Sequence, residues 1–256
     1  MRTKLLFIAV FTMSAFMANA QSLTINKAIN KAGRQRMLTQ RMTKDYLMIG
    51  AGVKVESAQK ELDDAVALFE EQFLELEDFA PNDQIADSLE SLNMLWMEFR
   101  MEIVSAPELD KAATMIDKAN ILLKASNQIV VMLQEYAGSS SGNLVNIAGR
   151  QRMLSQRIAM YYTAYYWGVK DPGVETNLEA AIQEFETANS TLSKSNANTE
   201  DISKRLVKVG SQWDFSKKGF DLKSERLMPS IVFVTTNSIL KKMNTITGLY
   251  SDMEKS

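Results

Sequence analysis

Histidine and cysteine are both absent from the 256 residues. Their absence removes imidazole acid–base catalysis, thiol chemistry, the usual zinc sites, c-type haem attachment and disulfides. Four prolines and eleven glycines leave little turn chemistry for an all-β fold. What is abundant instead, 16 methionines with many Leu, Ala, Glu, Lys and Gln, favours helix. A composition of 46% hydrophobic and 23% charged residues excludes disorder throughout. Beyond the N-terminal stretch no apolar run exceeds a few residues, so the mature chain is not expected to span a membrane.

Arg2 and Lys4 precede the apolar stretch Leu5 to Phe16, and Ala18-Asn19-Ala20 places small residues where a signal peptidase reads. Residues 1–20 are therefore expected to be a cleaved secretory signal, with a mature protein that begins near Gln21 and is periplasmic or secreted. No cysteine follows to carry a lipid. Without Arg2 and Lys4 the chain has 27 basic and 31 acidic residues, a net charge of −4 that argues against nucleic acid as a partner.

The strongest internal signal is a duplication. Asn30 to Arg41 reads NKAGRQRMLTQR and Asn146 to Arg157 reads NIAGRQRMLSQR, ten of twelve positions being identical at an offset of 116. Leu62, Val66, Phe69 and Leu76 match Leu178, Ile182, Phe185 and Leu192 at the same offset. The offset is 117 further on, where Ile85, Leu89, Leu92 and Trp96 match Ile202, Leu206, Val209 and Trp213, and Asn120 matches Asn237. The extra residue falls in the Ser/Asn-rich stretch between Leu192 and Ile202, as expected of a loop insertion.

Within each repeat the apolar period is helical. Leu62, Val66, Phe69, Phe73, Leu76 and Ala80 form one seam, and Ile85, Leu89, Leu92, Trp96, Phe99 and Ile103 a second. A third runs Leu109, Ala112, Ile116, Ala119, Leu123, Ser126, Val130, Leu133, Ala137. With Thr24 to Ile49 as first helix, each repeat has four helices, broken at Ala80-Pro81-Asn82-Asp83, Ser105-Ala106-Pro107 and Asp171-Pro172-Gly173. The expected fold is all-α, two tandem four-helix up-down bundles related by internal duplication. Repeat 1 covers residues 21–137 and repeat 2 residues 143–256, with a Gly-Ser linker at 138–142. A helix break at the linker is favoured over one continuous helix, because its two glycines would cost about 2 kcal/mol against alanine.

The motif holds more than packing requires. Lys31 to Arg41 carries four positive charges and no acid, and the second copy carries three. On a helical wheel Gly33, Met37, Asn30, Arg41 and Arg34 cluster on one side, while Ala32, Arg36, Thr39 and Gln40 form a small polar face around one arginine. Gly33 and Gly149 each cost about 1 kcal/mol inside a helix and mark a close approach of backbone or ligand. The competing reading is that the arginines are solvated or paired with the nine carboxylates between Glu56 and Asp78.

These residues resemble a family. NKAGRQRML(T/S)QR is similar to the signature that opens the first helix of the periplasmic sensor domains of nitrate/nitrite-responsive histidine kinases (NarX-like) and of the type IV pili methyl-accepting chemotaxis transducer N-terminal domain (PilJ-like). The resemblance implies a four-helix sensor in which two first helices meet and hold a small oxyanion, contacted by the arginine three residues after the glycine. Those positions are Arg36 and Arg152. Such receptors also carry transmembrane helices and a cytoplasmic signalling module, and this sequence shows neither. A membrane-bound receptor or kinase is therefore an expected partner. The lysine after the motif asparagine is Lys31 in the first copy but Ile147 in the second, which makes the two sides unequal. Two copies in one chain would form by pseudo-twofold packing the helix pair that receptors form by dimerising.

Guanidinium groups present planar, forked, permanently charged donors that suit nitrate or nitrite. The expected ligand set is Arg36, Arg152, Gly33, Gly149, Lys31, Gln40, Gln156, Thr39 and Ser155, with Asn30, Asn146, Arg34, Arg150, Arg41, Arg157, Met37 and Met153 in structural roles. No nucleophile, metal cluster or phosphate loop accompanies them, so the expectation is a small-anion binding or sensing protein with no cofactor, not an enzyme. The alternative is an extracytoplasmic helical scaffold or assembly protein. Tyr161, Tyr162, Tyr165, Tyr166 and Trp167 are either end-of-bundle packing or a partner patch.

Overall fold

The computed structural model describes residues 23–138 and 142–253. The expected signal at 1–20 lies outside them, as do linker residues 139–141. Within the described residues the order is α1 (Ile25–Gly50), α2 (Val55–Phe79), α3 (Asp83–Ile103), α4 (Ala112–Ala137), α5 (Gly142–Trp167), α6 (Gly173–Ser193), α7 (Glu200–Ser216) and α8 (Pro229–Asp252), with no strand.

The helix starts follow cap chemistry. The Thr24 hydroxyl accepts the Lys27 N–H ahead of α1. Asn82 accepts from Ile85 N–H at 2.9 Å at the start of α3, and Thr199, its counterpart 117 residues on, accepts from Ile202 N–H at 3.2 Å at the start of α7. Pro229 opens α8, where its missing N–H would have had no helical partner. α4 stops at Ala137 because Gly138 turns left-handed, with φ of 63°, and caps the Gln134 and Glu135 carbonyls. Gly142 belongs to α5 instead of the linker; a Cβ there would lie 2.9 Å from Ile29 Cδ1.

Most of the apolar seams form the core. Leu62, Val66, Phe69, Phe73 and Leu76 of α2 and all six seam residues of α3 are buried. The α4 seam needs correction. Leu109 is exposed in a 3-10 turn ahead of the helix, and Leu122 and Ile129 are buried while Leu123 is only half-buried. α4 packs on both α1 and α3, so its buried arc is wider than one seam.

In repeat 1, α1 packs on α2 and α4, and α3 closes the ring; α5, α6, α7 and α8 repeat this arrangement. Trp96 stacks on Phe69 at 3.9 Å between centroids, and Trp213 on Phe185 at 4.1 Å. Gln35 donates to the Phe69 carbonyl and Gln151 to the Phe185 carbonyl, fixing each first helix to the second. The Tyr46 hydroxyl accepts from Glu108 N–H and that of Tyr162 from Met228 N–H, so each ties its repeat's first helix to the approach to its fourth. The bundles share one continuous core because α1 and α5 lie against each other. Having neighbours on several sides, both helices are buried almost all round. Among the described residues no helix is long and apolar enough to cross a membrane.

Candidate functional site

Where α1 meets α5, Gly33 and Gly149 remove side chains and two arginines fill the space. A Cβ on Gly33 would lie 3.2 Å from Arg36 Nη2 and 3.6 Å from Arg152 Nη2; one on Gly149 would lie 3.1 Å from Arg152 Nη2 and 3.7 Å from Arg36 Nη2. Both guanidinium groups thus lie against the same pair of glycines, which explains the helix-weakening residue in each motif.

Each arginine bridges its own repeat's fourth helix and the other repeat's motif asparagine. Arg36 Nη1 donates to Asn127 Oδ1 and Nη2 to Asn146 Oδ1, both at 2.7 Å. Arg152 Nη1 donates to Asn244 Oδ1 at 3.3 Å and Nη2 to the Asn30 backbone carbonyl at 3.2 Å. The pseudo-twofold is imperfect for a legible reason. Gln134 Oε1 accepts from Asn146 Nδ2 at 2.9 Å and orients that amide, whereas the position 117 residues on is the shorter Ser251.

The electrostatics are lopsided. Arg36 and Arg152 are 1% and 0% exposed, and their partners are neutral amide oxygens. Neither Nε has a hydrogen-bond partner among the described residues. Burial, with Arg150 nearby, pushes Arg36 down to about 10 despite Glu184. Burial, with Arg34 and Arg36 adding, pushes Arg152 well below the ordinary arginine value. A buried charge without a counter-charge costs several kcal/mol, on the order of the desolvation penalty of one ion.

Three of the other motif cations take carboxylates. Lys31 pairs with Glu75, Arg150 with Glu184 and Arg41 with Glu61, while Arg34 feels the field of Glu75. The pairing reading therefore holds for Lys31, Arg41 and Arg150 and fails for Arg36 and Arg152. Lys31, expected among the ligands, is instead engaged by α2. Thr39 Oγ1 donates to the Gln35 carbonyl and Ser155 Oγ to the Arg152 carbonyl, so both hydroxyl protons are directed to their own helix. Gln156 Oε1 accepts from Lys44, which places that amide in a different cluster. Gln40, one turn beyond Arg36, is buried with neither amide atom partnered among the described residues. Met37 and Met153 are core residues, and Arg157 lies over the Tyr161 ring and donates to its hydroxyl.

The aromatic run divides. Tyr161 and Tyr162 are in the core, at 0% and 1% exposure, and cannot be part of a surface patch. Tyr165 and Tyr166 are exposed, while Trp167 is half-buried over Gly50, where a Cβ would collide with the indole.

Two sets of residues escaped the sequence reading. Asn127 and Asn244 were findable, since they share the offset of 117 that pairs Asn120 with Asn237 and lie two helical turns further on. Lys44 and Asp45 were not, because charged residues are seldom fully buried. Lys44 Nζ lies 2.9 Å from Glu61, 3.0 Å from Gln156, 3.1 Å from Asn237 and 3.0 Å from Asp45, over the Phe233 ring. Burial pushes Asp45 up to about 7, although Lys44 opposes it. Burial alone would raise Glu61, but Lys44 and Arg41 outweigh it and leave that carboxyl low. Repeat 2 has Met160, Tyr161 and Asn177 at the positions matching Lys44, Asp45 and Glu61, so the charges of this cluster come from repeat 1 while Gln156, Asn237 and Phe233 of repeat 2 enclose them.

The family model described as type IV pili methyl-accepting chemotaxis transducer N-term (PilJ) matches residues 17–121 and 138–226, together most of the chain. No curated protein and no solved structure matches.

Proposed function

We propose that this chain, which belongs to the family of type IV pili methyl-accepting chemotaxis transducer N-terminal domains, binds one small oxyanion of the nitrate or nitrite kind between Arg36 and Arg152. The family points to a sensory, non-catalytic role. One observation carries the ligand reading: two buried guanidinium groups face the same glycine pair with amide oxygens as their only hydrogen-bond partners among the described residues. A monoanion there would supply the missing charge, and each charge-assisted hydrogen bond contributes about 1.5 to 3 kcal/mol. The protein is then an extracytoplasmic binding or sensing component that acts through a membrane-bound receptor or kinase.

The rival reading is a helical scaffold in which the asparagines suffice to hold the arginines. Calorimetric titration of the purified chain with nitrate, nitrite, acetate and formate separates the two. Saturable heat with a planar oxyanion supports binding, and silence across the panel favours the scaffold.

A further inference from the structure

The outer face formed by α2 and α3 of repeat 1 has two features that repeat 2 lacks. The first is an apolar stripe: Leu74 of α2 and Met94, Met97 and Met101 of α3 are 61%, 66%, 53% and 69% exposed. With Phe73 and Trp96, Leu74 and Met97 line a groove of about 430 Å³ between the two helices. Met94 and Met101 lie one turn to either side of Met97, so the stripe runs about 10.5 Å along α3. The matching positions in repeat 2 are Ser190, Ser211, Asp214 and Lys218, all exposed, above the same Trp–Phe stack. The core therefore does not require apolar groups here. α7 also exposes Val207 and Phe215, where α3 has Glu90 and Glu98, but it has no apolar residue at the stripe positions.

The second feature is charge. α2 and α3 carry 14 acidic and 2 basic residues, a net of −12, whereas α6 and α7 carry 7 and 3, a net of −4. Both bases are occupied, Arg100 by Glu70 and Lys60 by Asp64. Glu71, Glu77, Asp78 and Glu90, each within one turn of Leu74 or Met94, have no ion-pair partner among the described residues. Burial and the adjacent Asp78 both push the Glu77 carboxyl above its ordinary value.

We infer that this face docks a cationic amphipathic helix of a partner protein, with its apolar side on Leu74, Met94, Met97 and Met101 and its Lys or Arg residues against Glu71, Glu77, Asp78 and Glu90. The i, i+3, i+7 spacing on α3 matches the apolar stripe of a helix laid along it, and flexible methionine side chains adapt to such a partner. The surplus charge selects the occupant. A second copy presenting the same face would set acid against acid, and an anionic lipid surface would be repelled. Neither the anion site nor family membership enters the argument.

The probe is a synthetic helical peptide with leucines at i, i+3, i+4 and i+7 and lysines elsewhere, titrated into the purified chain labelled with 13C-methyl methionine. The Met94, Met97 and Met101 methyls should shift and saturate while those of the buried Met115 and Met153 stay in place, and affinity should fall at high salt as the Debye length contracts. A peptide with glutamates in place of the lysines should not bind. The variant Leu74→Ser, Met94→Ser, Met97→Asp, Met101→Lys puts the repeat 2 residues on this face with no change in net charge. Its helical melt should match the parent, because all four sites are exposed, while peptide affinity should fall at least about tenfold. Undiminished affinity in that variant, unshifted methyls at the three methionines, or equal binding of the glutamate peptide would overturn the proposal. Self-association of the parent, or its binding to phosphatidylglycerol vesicles, that the variant abolishes would give the face to a second copy or a membrane and overturn it as well.

Discussion

Arg36 and Arg152 are fully buried and, among the described residues, make no ion-pair contact with a carboxylate, and the behaviour of single substitutions follows from that combination. Lys31 already pairs with the partly exposed Glu75, so Lys31→Ile should change stability by about 1 kcal/mol or less and leave oxyanion affinity within about twofold of the parent. Thermal melts and calorimetry on this variant check both. Asp45 supplies a pH signature. Its folded pKa, about 7, lies above its ordinary 3.8, so the folded state holds a proton that the unfolded state releases between those values. The Asp45 contribution is therefore full below about pH 4 and is lost as pH rises through about 7. Asp45→Asn stays neutral, so its melting temperature should rise relative to the parent between about pH 5 and about pH 8. A constant difference across that range would show that Asp45 is not carrying a raised pKa. Glu61, held low, acts in the opposite sense and is common to both proteins.

At the scale of the helix, the glycines of α1 and α5 set how close the guanidinium groups come. Gly33→Ala should favour helix by about 1 kcal/mol yet crowd Arg36 Nη2, which a Cβ would meet at 3.2 Å. The expected outcome is a melting temperature near or above that of the parent with weaker oxyanion affinity, read by melts and calorimetry on the same preparation. Affinity equal to the parent would mean that the arginines do not need that surface. The helices also show what was legible in advance. α2 and α3 contact the core along one stripe, and their 3.6-residue pattern located both the elements and their buried residues. α4 faces two neighbours, so the same pattern misassigned Leu109 and Leu123. α1 and α5 are enclosed on nearly all sides, and the two-faced wheel reading of Asn30 to Arg41 lost its meaning there. The motif arginines and glycines were visible because polar and helix-weakening residues stood out in duplicate. Lys44 and Asp45 had no duplicate to draw attention to them.

At the scale of the molecule, the duplication places two first helices side by side within one chain, and the site draws on both halves. Each guanidinium donates to an asparagine of the opposite repeat, Arg36 to Asn146 and Arg152 to Asn30, so neither repeat alone completes the arrangement. The same geometry makes the two sides unequal, since Gln134 orients Asn146 and Ser251 is the matching residue for Asn30. Gln134→Ser should therefore weaken oxyanion affinity more than Ser251→Ala, with both melting temperatures within a few degrees of the parent; equal affinities would remove Gln134 from the site. The most direct test of the shared site is calorimetric stoichiometry with nitrate and nitrite for the parent, Arg36→Met and Arg152→Met, which retain aliphatic volume and remove the buried charge. The account predicts one anion per parent chain and no saturable heat in either variant. Two anions per chain, with one retained in each variant, would contradict it.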